Sequence, residues 1–134
     1  MEWRRACRFY QGYFLASIPA DYQTVNVSLA QSQPTSILTL YHRLIEVRRE
    51  EPALSVGKFT PLPGDDDLMA YLRSTDKRRL LVVLNLSAKP KCFSMSGLQC
   101  RGSLLLSTYL DRSQQMLHDK IALRPDEGVI IELL

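Results

Sequence analysis

The side chains able to do chemistry in this 134-residue sequence are few and scattered. Asp65-Asp66-Asp67 is its densest acidic run. A calcium loop spaces its oxygen ligands around a sharp glycine turn, and these three carboxylates are adjacent instead, so the run reads as a solvated turn. Glu50-Glu51 falls where a helical pattern ends, where acidic groups gain nothing from the helix dipole, and is expected to face solvent. His42 and His118 have no cysteine or carboxylate companion at metal-ligand spacing. Ser36 lies in no Gly-x-Ser-x-Gly turn and has no evident base, and phosphate-cradling glycine loops are absent. Phe59, Tyr71 and Tyr109 could stack on sugar rings, but aromatics in strands more often pack than bind. The sequence therefore assigns no catalytic, cofactor-binding or metal-binding residue, and it implies no cofactor.

The elements that would position these residues divide the chain in three. Residues 1–33 read as an irregular N-terminal segment: Pro19 and the absence of helical periodicity make 18–33 an extended connector. A helix is predicted from Pro34 to Glu51, because Pro34 suits a first helical position and Ile37, Leu38, Tyr41, Leu44 and Ile45 recur at spacings of three and four. Pro52 stops it, since its ring disfavours a helical residue before it. From Val56 onward the pattern is β, with short apolar runs at 58–62, 68–74, 80–87, 91–95, 103–107, 120–123 and 129–134. Turn residues separate several of them, among them Pro63-Gly64-Asp65, Ser96-Gly97 and Pro125-Asp126-Glu127-Gly128. Residues 80–84 are apolar on both faces, which suits a central strand covered on both sides. The expected fold is mainly β, a small antiparallel β-sandwich over 55–134 preceded by one amphipathic helix within 34–54.

Composition narrows the function classes. The net charge is +3. Arg4, Arg5 and Arg8 against Glu2 supply most of it, and the rest of the chain carries no basic stripe, so nucleic-acid binding is not expected. Cys7, Cys92 and Cys100 are too few and too irregular for a disulfide framework; they read as reduced thiols packed as small apolar groups, which fits a cytoplasmic location. No apolar run approaches the ~18 residues of a membrane span. Gln11 and Gly12 interrupt the apolar stretch that would make the first residues a signal peptide.

One stretch is more specific than composition. In residues 21–54, Tyr22, Val25, Asn26 and Val27 precede Pro34, Ser36, Leu38, Tyr41, Leu44, Ile45, Arg48, Pro52 and Leu54. This arrangement resembles the end of the catalytic barrel in oligo-1,6-glucosidases and related α-glucosidases of glycoside hydrolase family 13. The resemblance continues through Ala70-Tyr71-Leu72-Arg73, Leu81-Val82-Val83-Leu84-Asn85-Leu86-Ser87 and Leu123-Arg124-Pro125, and so runs from about Ile18 to Leu134. It implies that residues 34–54 are the last barrel helix and that 55–134 are the C-terminal β-domain. It also implies that the nucleophilic Asp, the acid/base Glu and a third Asp come from barrel strands preceding this region, so no residue here inherits their roles. A barrel of eight βα units needs at least ~200 residues, which this length cannot supply.

Residues 1–17 match that family only at Met1-Glu2-Trp3. Codons permitted for residues 4–17, read one base later, spell Asp-Ala-His-Ala-Gly-Phe-Thr-Lys-Gly-Thr-Ser-Trp-Leu and lead into a proline. The family has a segment of that type at this point, so residues 4–17 are expected to be a frame-shifted reading that neither matches nor packs.

The resemblance implies a non-catalytic C-terminal fragment of an α-glucosidase-like hydrolase. The alternative is an independent carbohydrate-binding or protein-interaction module, which a groove of exposed aromatics would favour. The apolar positions of the Pro34–Glu51 helix spread over more than one face, which predicts self-association through it. No membrane or nucleic-acid partner is expected, and sugar binding is not.

Overall fold

The computed structural model describes residues 19–98 and 101–134. Cys7, Cys100 and the expectation for residues 4–17 lie outside them. Three helices come first: α1 (Val27–Ser32), α2 (Ile37–Glu50) and α3 (Pro52–Val56). Eight strands follow, β1 (Lys58–Leu62), β2 (Leu68–Ser74), β3 (Arg79–Asn85), β4 (Lys91–Ser94), β5 (Arg101–Ser107), β6 (Met116–His118), β7 (Lys120–Leu123) and β8 (Gly128–Leu133).

The helical region departs from its expectation in three places. The connector holds α1, because the Asn26 side chain accepts a hydrogen bond from the Leu29 amide and starts a turn. The main helix begins three residues later than Pro34, because Ser36 is its cap: the Ser36 hydroxyl accepts from the Thr39 amide at 3.2 Å. Pro52 ends α2 and also opens α3, where a missing N–H costs nothing. The expected single helix is thus the longest of three.

The strands are antiparallel in the order β1-β2-β3-β8-β5-β6-β7-β4. The chain reverses at Asp119, held at φ 54° between β6 and β7, and β7 then carries β4 over the broad layer. The result is the expected sandwich. Its interior is built from Leu68, Leu81, Val83, Leu104, Val129 and Ile131 facing Phe93, Met95, Ile121 and Leu123. The strand the sequence did not reveal, β6, has three residues, of which only Leu117 is buried.

A second core lies on the other side of the broad layer. Val82 of β3, Ile130 of β8 and Leu106 of β5 point away from the interior and meet Leu40, Leu44 and Val47 of α2. Val82 and Ile130 do so by simple alternation along a strand. Leu106 needs more, since Leu104 and Leu106 would share a face in a regular strand. A bulge supplies it: Leu104 pairs with Ile131 while Leu106 pairs with the adjacent Ile130, which adds one residue to β5 and inverts the side-chain phase. Strand β3 is therefore covered on both faces, as its apolar run requires, with Leu80, Leu81 and Val83 fully buried.

Candidate functional site

The densest chemistry in the described residues is a charge cluster where the β5–β6 loop meets the turn before β8. Glu127 has no exposed surface. Its carboxylate accepts from the Ser107 hydroxyl at 2.5 Å, from Arg112 Nε at 3.1 Å and Nη2 at 2.8 Å, and from the Arg124 amide at 2.8 Å. The Arg124 guanidinium adds a bond at 2.8 Å to the same group. It also holds Asp111 in a fork, Nη1 to Oδ2 at 2.5 Å and Nη2 to Oδ1 at 2.7 Å. Burial pushes the Glu127 carboxyl upward, but the hydrogen bonds from Arg124 and Ser107 and the nearby Arg112 charge outweigh it and hold the group at about 2. The Arg124 fork likewise keeps Asp111 below the ordinary carboxylate range.

Those values decide what the cluster can do. A general acid at neutral pH needs a carboxyl whose pKa is raised, and a retaining glycosidase needs one such group opposite a carboxylate nucleophile. Here both carboxyls are driven the other way and both are occupied by arginine. The cluster is a clamp, joining the β5–β6 loop to β7 and β8. Asn85, also buried, extends it by donating to the carbonyls of Lys89 and Arg124, each at 2.8 Å.

A shallow hollow opens beside the clamp, lined by Thr35, Thr108, Tyr109, Asp111 and Asp126. The Arg124 guanidinium covers one face of the Tyr109 ring, 4.1 Å from its centroid. The Tyr109 hydroxyl donates to the Pro125 carbonyl at 2.9 Å.

A second polar assembly sets the position of α2. Arg73 donates to the carbonyls of Ala53 (3.1 Å), Leu54 (3.1 Å) and Ser55 (3.3 Å) at the end of α3, the first of which also accepts the Gly57 amide. Arg78 bonds Glu51 and approaches Glu132 at 3.4 Å, tying the α2–α3 corner to β8. Glu51 is buried, which corrects the expectation that Glu50-Glu51 faces solvent: Glu50 does, but the chain direction changes at Pro52 and turns Glu51 inward onto Arg78.

The other residues weighed from sequence are dispersed. Asp65 and Asp67 are exposed but pair with Lys91 at 2.9 and 3.3 Å, fastening the β1–β2 loop to β4. Ser36 is consumed as a helix cap, its hydroxyl donating to the Ala30 carbonyl at 2.6 Å. His42 lies exposed on α2 and His118 exposed at the end of β6. Phe59 and Tyr71 pack on one another with centroids 5.1 Å apart. Cys92 is unpaired but exposed on β4, not packed inside: β4 buries alternate residues, and Phe93 takes the inward position. Among the described residues no helix is long and apolar enough to cross a membrane.

Sequence reading missed Glu127, which sits inside a turn signal, and its partners Arg112, Arg124 and Ser107, separated from it by 15, 3 and 20 positions. The one available signal was an acidic residue directly before the apolar run of β8.

No protein-family model matches the chain. It is 32% identical over 133 residues to the probable oligo-1,6-glucosidase 2 of Bacillus subtilis, covering 96% of this chain and 23% of that protein. It is 29% identical over 136 residues to the glucan 1,6-alpha-glucosidase of Streptococcus pneumoniae, covering 100% and 24%. That second match runs through residues 1–17 as well. A human amino acid transporter heavy chain is 35% identical over 119 residues, covering 84% and 17%. Among solved structures, the trehalulose synthase MutB of Pseudomonas mesoacidophila MX-45 superposes with a TM-score of 0.79 at 26% identity, over 88% of this chain and 21% of that one. The chain spans about a quarter or less of the length of each of these relatives.

Proposed function

We propose that this chain, which matches the C-terminal part of a glycoside hydrolase family 13 enzyme, is the non-catalytic portion of an α-glucosidase-like hydrolase. In this reading the β-sandwich is a support, and α2 is the rib on which the catalytic portion rests. One observation carries it. Helix α2 packs Leu40, Leu44 and Val47 on the sandwich, yet Ile37, Tyr41 and Ile45 are 75%, 61% and 47% exposed along an adjoining face. A helix apolar on two faces has two neighbours, and more than three quarters of the Bacillus subtilis relative lies outside the match. The names of the relatives support the same division. Proteins called glucosidase, trehalulose synthase and transporter heavy chain share this region, which supports a role common to all of them rather than any one of those activities. The free Cys92 thiol fits a reducing, cytoplasmic setting.

The test has two arms. The purified chain should not hydrolyse a chromogenic α-glucoside, and turnover above buffer that persists through repurification would overturn the proposal. A chimera of the Bacillus subtilis relative carrying this chain in place of its matched region should hydrolyse the substrate, and should lose activity when Ile37 and Tyr41 become lysine. A chimera indifferent to those changes would remove the rib from the reading.

A second reading, a protein-interaction module, is favoured by the transporter heavy chain at 35% identity. It would use the same face of α2 against a separate polypeptide. Recovery of the chimera's activity distinguishes the first reading from it.

A further inference from the structure

We propose that α2 and the sheet beside it form one groove, and that this groove seats a single helix of the catalytic portion, lying parallel to α2. The identity of the occupant rests on the support role proposed above; the groove itself rests on register and handedness. Its floor is the part of the broad layer that α2 leaves bare. Val82 and Leu84 of β3 face the helix side, and alternation carries that face on to Leu86. The register sets Met69 opposite Leu84, Tyr71 opposite Val82 and Pro61 opposite Tyr71, and Phe59 packs on Tyr71. Phe59, Met69 and Leu86 are nonetheless 50%, 47% and 65% exposed.

The wall is the exposed stripe of α2, and chirality decides which side it takes. On β3 the Leu86 amide donates toward β2, to the Asp67 carbonyl, and the Asn85 amide toward β8, to the Glu127 carbonyl. For L-residues seen from the helix side with β3 pointing up, that places β2 and β1 on the right. In this view α2 runs downward, from Thr35, which shares a hollow with Thr108 and Asp126, to the corner where Glu51 meets Arg78. Tyr41, Ile45 and Arg48 each follow one of the sheet-facing residues Leu40, Leu44 and Val47 by a single position, a turn of about 100°. In a right-handed helix running downward, that turn points them to the right, over β2 and β1. Wall and floor share one corner.

The width of the corner selects a helix. From β3 to β1 is two strand spacings, roughly 10 Å, about the diameter of one α-helix. Its ends select a direction. The β1–β2 turn at the top carries Asp66, and Arg48 continues the stripe at the bottom; both are exposed, and neither side chain has a partner among the described residues. A helix dipole is stabilised with its N-terminus near the acid and its C-terminus near the base, which is the direction of α2. A second copy is the weaker occupant. A two-fold axis that seated each α2 on the other's floor would run along the groove and set Asp66 against Asp66 and Arg48 against Arg48. The Bacillus subtilis relative, of which this chain matches 23%, has ample further length to supply the helix.

The experiment uses the chimera of the Bacillus subtilis relative described above, with p-benzoylphenylalanine in place of Phe59, Met69 or Leu86. Irradiation captures whatever touches the probe, whether or not the chimera turns over substrate. All three probes should capture one segment of the catalytic portion, at residues spaced three or four apart. The Leu86 probe should meet its N-terminal part and the Phe59 probe its C-terminal part. Met69→Lys with Leu86→Lys should lower the chimera's melting temperature by several degrees while changing that of the isolated chain little, because exposed positions contribute little there. Capture between copies, capture at alternate residues as in a strand, or no capture would overturn the docked helix, and the reverse order of capture would overturn its direction. If Ile37→Lys with Tyr41→Lys removes activity while the floor lysines change neither melting nor capture, the support role stands and the groove falls. If neither pair matters, both fall.

Discussion

Glu127 and Arg112 meet at 2.8 Å at a point where Glu127 has no exposed surface, although 15 positions separate them in the chain. The pair closes the β5–β6 loop onto the turn before β8, and its consequence is a pH dependence. The ordinary value of 4.5 for Glu127 falls to about 2 in the folded chain, so the unfolded state binds its proton more tightly. The stabilisation is complete above about pH 4.5, declines below it, and is gone once the pH has fallen through about 2. Its size is on the order of 3 kcal/mol. Glu127→Gln should lower stability to urea at pH 7 by about 2–4 kcal/mol. The gap between it and the unaltered chain should close as the pH is taken from 5 to 2. A gap that stays constant over that range would show that the charge of Glu127 contributes nothing.

The clasp between Arg78 and Glu51 predicts a coupled pair. Glu51 is buried with one carboxylate oxygen lacking a hydrogen-bond partner, so removing Arg78 leaves a charge with almost no compensation. Arg78→Leu should cost about 2–3 kcal/mol, discounted because the arginine is itself partly exposed. Arg78→Leu with Glu51→Leu should recover much of that loss, since apolar replacement of both partners of a buried pair is often neutral. Thermal unfolding of the two single variants and the double variant completes the cycle; strictly additive losses would mean that the two residues do not act together.

Gly102 on β5 carries a steric prediction. A Cβ there would lie 2.6 Å from Ile131 Cγ2 and 3.0 Å from the Glu132 carbonyl oxygen. Ile131 is fully buried and cannot retreat, so Gly102→Ala should destabilise by about 1–3 kcal/mol. Chemical denaturation measures it, and an unchanged midpoint would mean that the β5–β8 pair separates freely.

The legible part of this fold was the part set by local pattern. The apolar run around Leu81 to Leu84 announced a strand covered on both faces, and the three- and four-residue spacing of α2 announced a helix, because each depends on neighbours in sequence. What pattern could not show was geometry made by distant residues. Leu106 belongs to the helix-side core only because of the bulge after Leu104. Asn85 is read from sequence as part of a strand, but its buried amide bridges Lys89 and Arg124, the second 39 positions away. Glu127 reads as a turn residue until Arg112 and Arg124 are brought around it. In each case the partners come from another strand, and the sequence does not say which strands meet.

Helix α2 gives the last prediction, and the structure changes which residues test it. Leu40 and Leu44, apolar in the sequence pattern, pack against Val82, Leu106 and Ile130. Lysine at either position would strike the core and unfold the chain, and so would not report on association. The outward stripe is Ile37, Tyr41 and Ile45. These follow one another at spacings of four and so line one side of the helix. Tyr22, Val25 and Val27 are exposed as well, just before α2. Each large apolar side chain left in water forgoes roughly 1.5–3 kcal/mol of burial, and a contiguous run of them invites a partner. The chain alone should therefore self-associate with rising concentration. Tyr41→Lys with Ile45→Lys should return it to a monomer while shifting its unfolding midpoint little, because exposed positions contribute within about 0.5 kcal/mol. Sedimentation velocity over a range of concentrations reads the first effect and thermal unfolding the second. If the unaltered chain sediments as a monomer at the highest concentration, the stripe does not drive association. If the double lysine variant associates as the unaltered chain does, the contact lies elsewhere.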